Sequence, residues 1–172
     1  MNKLLKSAID NLSIVNVSLR QSDVLLKDGL NHISINGMHK KSQSFRSVIK
    51  IEVIEVVKDG IEESHETLYS FHYKVGSRLV QPEGQKPTSM SEEKDAEAMV
   101  TIEACFEAIY VARKELEKEE LEAFAANNVG YNVWPYWREY LQGTCSRMSI
   151  DPIKVPFYHS VKSDLPNQKS DP

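Results

Sequence analysis

The stretch Val129 to Met148, VGYNVWPYWREYLQGTCSRM, decides how the chain is read. Trp134, Trp137, Leu141, Cys145 and Met148 recur at helical spacing and run down one side. Val133, Tyr136 and Tyr140 fall on other sides, and the charges are few: Arg138, Glu139 and Arg147. A helix lying on a monomer's surface shows one apolar stripe and a charged back. Aromatic groups nearly all round predict two packing partners, the helix's own sheet on one side and a second subunit on the other. Trp134, Tyr136, Trp137, Tyr140 and Leu141 are the expected oligomer-interface residues, because interfaces favour large rings. The helix is expected over 132–148. Asn132 is its expected cap, and Pro135 would then sit in the first turn, where its missing N–H has no helical acceptor to serve.

Upstream, Glu115 to Ala126 is rich in strong helix formers, and Asn127, Asn128 and Gly130 are expected to separate it from the aromatic helix. Before that come four stretches with strand alternation. The first covers 12–26, with a change of phase at Ile14 and Val15 that predicts a bulge. Residues 27–44 read as a long crossover loop, a kind that is usually functional or mobile. The second strand is expected over 45–57, with Phe45, Ile49, Ile51 and Val53 on one face and Arg46, Lys50 and Glu52 on the other. Asp59-Gly60 is a hairpin signal. The third strand carries Tyr69, Phe71, Tyr73 and Val75 on one face. Residues 81–95, with their Pro, Gly, Ser and charge, read as a flexible hairpin loop, and the fourth strand runs over 98–112. Strands followed by helices predict an α+β fold: a four-stranded antiparallel sheet with a long C-terminal helix packed on one face.

The 172 residues are enough for one domain with a real core. A net charge of −4 argues against nucleic acid as the main partner, which would want a basic face. The two cysteines, Cys105 and Cys145, form no CxxC pair, which fits a reducing cytoplasm. The apolar run at Leu4, Leu5, Ala8 and Ile9 is too short for a signal peptide. No run approaches the ~18 apolar residues of a membrane span, so membrane insertion is not expected. The five histidines make no metal-binding pattern, the seven glycines make no phosphate loop, and no convergent polar set suggests an enzyme. No catalytic residue, cofactor or metal is therefore expected.

The aromatic stretch resembles the signature region of the SecB family. Trp134-Pro135-Tyr136, followed two residues on by Arg138-Glu139, is similar to the family's helix opening. The proline-containing loop SIDPIKVPFY, Ser149 to Tyr158, is similar to the apolar loop that follows the family's helix. The order of elements agrees, and the resemblance spans about 10–158. It implies a SecB-like chaperone domain over 1–158; the polar composition of 159–172 predicts a disordered tail. It also implies a homotetramer built as a dimer of dimers. The implied activity is that of an ATP-independent holdase, which binds unfolded or aggregation-prone clients through exposed apolar grooves. Exporting SecB proteins add a second long helix and acids on the first strand for docking the SecA motor. Here Asp23 matches one acid but Lys27 stands near the next, which argues against SecA as a direct partner. The chain is more similar to SecB-like proteins that guard an antitoxin.

A holdase needs apolar surface left uncovered. The expected client-binding residues are Ile49, Ile51 and Val53 on the second strand and Met148, Ile150, Ile153, Val155 and Phe157 in the loop after the helix. The alternative is a small-molecule binding protein using an apolar sheet–helix cavity, which would need a closed pocket within one protomer.

Overall fold

The computed structural model describes residues 2–57, 65–82 and 98–158. The Asp59-Gly60 turn, most of the 81–95 loop and the tail after Tyr158 lie outside these. The chain forms α1 (Lys3–Asn11), β1 (Leu12–Leu26), α2 (His32–Gly37), β2 (Lys41–Val57), β3 (His65–Val80), β4 (Ala98–Ala112), α3 (Lys118–Phe124) and α4 (Gly130–Arg147). A π-helical turn, Ala125–Val129, joins the last two. The strands make one antiparallel sheet in the order β1-β4-β3-β2, as the α+β reading requires.

Alternation along β3 and β4 sorts the side chains between the two faces. Tyr69, Phe71, Tyr73 and Val75, with Val100, Ile102, Ala104, Phe106, Ala108 and Tyr110, are buried on one side. The helices cover that side with Leu121, Phe124, Val129, Val133, Trp137, Leu141 and Cys145. Phe71, Tyr110 and Phe124 pack ring to ring at 5.0–5.7 Å between the sheet and α3. The opposite face carries cross-strand polar pairs. Arg20 meets Glu107 at 3.3 Å, the Ser70 hydroxyl donates to Glu107 at 2.7 Å, and His72 lies 2.7 Å from Glu52.

Three sequence expectations change. Asn127, Asn128 and Gly130 do not break the helix. One extra residue is absorbed as the π turn, which keeps Phe124 before it and Val133 after it both on the sheet. Asn132 is consequently not a cap; its side-chain amide donates to the Tyr110 hydroxyl at 2.9 Å. Pro135 lies inside α4, where it cannot donate to the Tyr131 carbonyl.

The crossover is not a loop throughout. Asn31 and Ser34 form a reciprocal capping box that starts α2, and Ile35 is fully buried beneath it. β2 then begins at Lys41 rather than at residue 45. The sheet order explains why this segment needs structure: β1 and β2 are opposite edges, so the crossover spans the whole sheet.

The third change concerns faces. The expected irregularity near Ile14 and Val15 is present, with a second near Arg20. β2 also has one, between Val48 and Lys50, which leaves Ile49 unpaired in the register. Beyond a bulge every side chain changes face. Arg46 and Val48 therefore share the helix side with Ile51 and Val53, being opposite Val75, Tyr73, Phe71 and Tyr69. Phe45 lies on the other side, over Gly76, where a side chain would collide with its ring.

Candidate functional site

α4 ends in a Schellman motif. The Ser149 N–H donates to Ser146 O and the Ile150 N–H to Cys145 O, both at 3.1 Å, with Ser149 in the left-handed region at φ 56°. This turn sends residues 149–158 back along the helix as a strap. Asn36 of α2 holds the strap's first residues through both its side-chain atoms, to Ser149 O at 3.0 Å and Asp151 N at 2.9 Å. Lys40 adds an ion pair to Asp151 at 3.0 Å. Downstream, the Trp134 indole donates to Pro156 O at 3.0 Å.

The strap ends at Tyr158. Its ring packs on Trp134 at 5.7 Å and Tyr131 at 6.3 Å, and the Arg46 guanidinium lies 4.4 Å from its centre. The ring also lies against Gly130, where a Cβ would fall 2.5 Å from the Tyr158 hydroxyl oxygen. Gly130 is thus the helix position that admits the strap.

Tyr158 stands between two clefts. One, of about 510 Å³, runs between β2 and the π turn and is lined by Arg46, Val48, Ile49, Ile51, Tyr73, Ala125 and Ala126 among others. The other, of about 720 Å³, lies along α4 between Tyr131, Trp134, Pro135, Arg138 and Phe157. Both open at the surface, since Ile49 and Phe157 in their walls are exposed. Tyr73 lines the first, and its buried hydroxyl oxygen has no hydrogen-bond partner among the described residues. Such an orphan costs about 1–3 kcal/mol. Burial pushes its ionisation well above the ordinary phenol range, so it stays a donor.

The expected client-binding residues divide. Ile49 and Val53 are exposed, the latter 59%, and Ile51 lines the β2 cleft half-buried. Phe157 is 74% exposed, with the Arg138 guanidinium 4.9 Å from its ring centre. Val155 is half-buried against the core. Ile150 and Ile153 are corrected: both are core, Ile153 at 3% exposure, because the Schellman turn and the α2 latch fold the strap's first half inward. Met148 lies elsewhere, in a cleft between β1 and α4 with Val24 and Tyr140.

The expected interface residues divide too. Trp137 and Leu141 are fully buried and Trp134 nearly so within one protomer, which leaves little of them for a second subunit. Tyr136 is exposed and Tyr140 half-buried. These two are one turn apart on α4, and Tyr140 lines the cleft that reaches β1. There the helix side of β1 shows Ile14, Leu19, Val24 and Leu26, all exposed. Arg46, Tyr73, Tyr131 and Tyr158 were not singled out from the sequence. Tyr158 was within reach as the last residue of the proline-containing loop.

A search of solved structures places this geometry. The Mycobacterium tuberculosis SecB-like chaperone Rv1957, in complex with a ChAD peptide from the Rv1956 HigA1 antitoxin, superposes with a TM-score of 0.62. The match covers 92% of this chain and 98% of that one.

The fold is SecB-like.

At 14% identity the likeness concerns the fold. No family model and no curated protein matches the sequence. Within this SecB-like chain, no helix of the described residues is long and apolar enough to cross a membrane.

Proposed function

We propose that this protein is an ATP-independent holdase chaperone of the cytoplasm. It binds unfolded or aggregation-prone proteins in the clefts on either side of Tyr158, for export or for one dedicated client such as an antitoxin. The observation that carries this reading is the β2 edge, where Ile49 and Ile51 line an open cleft and Val53 is exposed farther along the strand. An extended client segment can lie along such an edge strand, with alternate side chains meeting the cleft. The antitoxin peptide held by the mycobacterial protein of the same fold supports this client class. Phe157 extends the surface across the second cleft. Release then depends on competition or on client folding.

The active form is a homotetramer, a dimer of dimers. Its protomers meet through the apolar flank formed by Leu19, Val24 and Leu26 of β1 with Tyr136 and Tyr140 of α4. This patch stands in place of the buried Trp134, Trp137 and Leu141.

The test is light scattering from a chemically unfolded model protein diluted into buffer without nucleotide. A molar excess of this protein is expected to delay the rise. An unchanged rise rejects the holdase. Mass spectrometry of what co-purifies with the protein separates a single dedicated client from a mixture of exported ones.

A further inference from the structure

Tyr73 sits in β3, opposite Val48 of β2, and its ring lines the β2 cleft. Its side chain is 3% exposed, yet the hydroxyl makes no hydrogen bond among the described residues. Folding alone does not call for a hydroxyl here, since phenylalanine would fill the same space without the orphaned group. The ionisable groups acting on it are Tyr158 and Arg46, which stand in the wall of the same cleft. Tyr158 is held there by ring contacts, by Arg46 and by the gap at Gly130. The remaining wall is apolar at Val48, Ile49, Ile51, Ala125 and Ala126 and polar at Ser47, Lys50 and Glu122. A segment entering this cleft brings main-chain carbonyls whatever its side chains are, and each must find a donor once it leaves water.

We propose that the Tyr73 hydroxyl is the polar anchor of the β2 cleft, donating a hydrogen bond to a main-chain carbonyl of an extended apolar peptide, with Tyr158 as its displaceable cover. The proposal rests on the client-binding reading above and adds what holds the client's backbone. A main-chain bond gives affinity without choosing a sequence, which suits a site that receives many. The cover keeps the donor out of water until a segment displaces it.

The experiment uses the full chain and a fluorescein-labelled, end-capped peptide of alternating leucine and serine, followed by fluorescence anisotropy. Tyr73→Phe is expected to weaken binding roughly five- to tenfold, the size of one hydrogen bond, while the melting temperature stays level or rises. Tyr158→Ala is expected to tighten binding roughly threefold or more, because the competent state no longer has to be uncovered. Unchanged affinity in Tyr73→Phe overturns the anchor and leaves the client reading standing. A lowered melting temperature in that variant assigns the hydroxyl a structural bond and overturns it equally. Weaker binding by Tyr158→Ala overturns the cover. A wild-type protein that binds no peptide and delays no aggregation overturns the reading and the anchor together.

Discussion

β1 and β2 are the two edges of one sheet, nearly equal in length and both bulged, yet they present different surfaces. An unpaired edge is a hazard in any sheet, because its free N–H and C=O groups invite another strand. Beside β1, Ile14, Leu19, Val24 and Leu26 are exposed on the helix side, where Tyr140 shares a cleft with Val24, while Leu25 is exposed on the other face. That helix-side stripe is the surface proposed above to meet a second copy. Beside β2 the π turn and Tyr158 at the end of the strap form walls, leaving a cleft of about 510 Å³. What distinguishes the edges is therefore what packs next to them. The strand composition alone, rich in Val, Ile and Leu on both, does not separate them.

The largest test removes a wall. Ile153 holds the strap to the core, so Ile153→Asp buries a charge with no partner. It is expected to cost about 4 kcal/mol or more, seen as a large loss in a denaturant melt. A strap that only rested on the surface would tolerate the change within about 0.5 kcal/mol.

The next test addresses the other edge. Leu19→Asp together with Val24→Asp places two charges on the β1 stripe. Both residues are substantially exposed in the protomer, Val24 at 42%, so the melt of the isolated chain should hardly move. Light scattering should instead report a smaller particle, since two large apolar contacts at ~1.5 kcal/mol each outweigh a tenfold change in association. An unchanged mass would place assembly elsewhere. Client affinity per chain should survive, because the β2 cleft lies at the opposite edge.

Phe157→Ser tests the second cleft, along α4 on the far side of Tyr158. The ring is mostly exposed, so its removal should leave the melt within about 0.5 kcal/mol and weaken client binding several-fold. The pair Ile153 and Phe157, four residues apart in one loop, should thus divide cleanly into a stability position and a binding position. Equal melts for both variants would contradict the inward fold of the strap.

These positions also mark how far the sequence could be read. The sheet, its strand boundaries on β1 and β4 and the covering helix follow from alternation and helical spacing, which burial enforces directly. The faces of β2 do not, because the bulge at Ile49 reverses the count without leaving a glycine or proline to announce it. The Asn-Asn-Val-Gly stretch, 127–130, looks like a helix stop, since Asn and Gly disfavour helix, but packing of Phe124 and Val129 on the sheet overrides propensity. Apolarity predicts that Ile150, Ile153 and Phe157 avoid water somewhere. It cannot say whether the core or a client covers them. That depends on Ser149 turning left-handed and on Asn36, more than a hundred residues away.

The smallest expected effect is at that turn. Ser149 holds φ 56°, a conformation in which a side chain meets its own backbone and which costs an L-residue on the order of 1 kcal/mol. Its link to Asn36 uses the backbone carbonyl, which any residue would supply. Ser149→Gly removes the strain and keeps the bonds at Ser149 N, Ile150 N and Asn36, though glycine returns part of the gain through the greater freedom of the unfolded chain. The net expectation is about 0.5 kcal/mol more stability, a rise of one or two degrees in melting temperature for a chain of this size. Ser149→Ala keeps the strain and gains nothing, which makes it the control. Because the strap that leaves this turn walls β2 and does not touch the β1 stripe, the glycine variant should leave the oligomeric mass as it is. A loss of stability in Ser149→Gly would mean that the serine side chain itself holds the strap, and the inward course of Ile150 and Ile153 would then rest on that hydroxyl instead of on the left-handed turn.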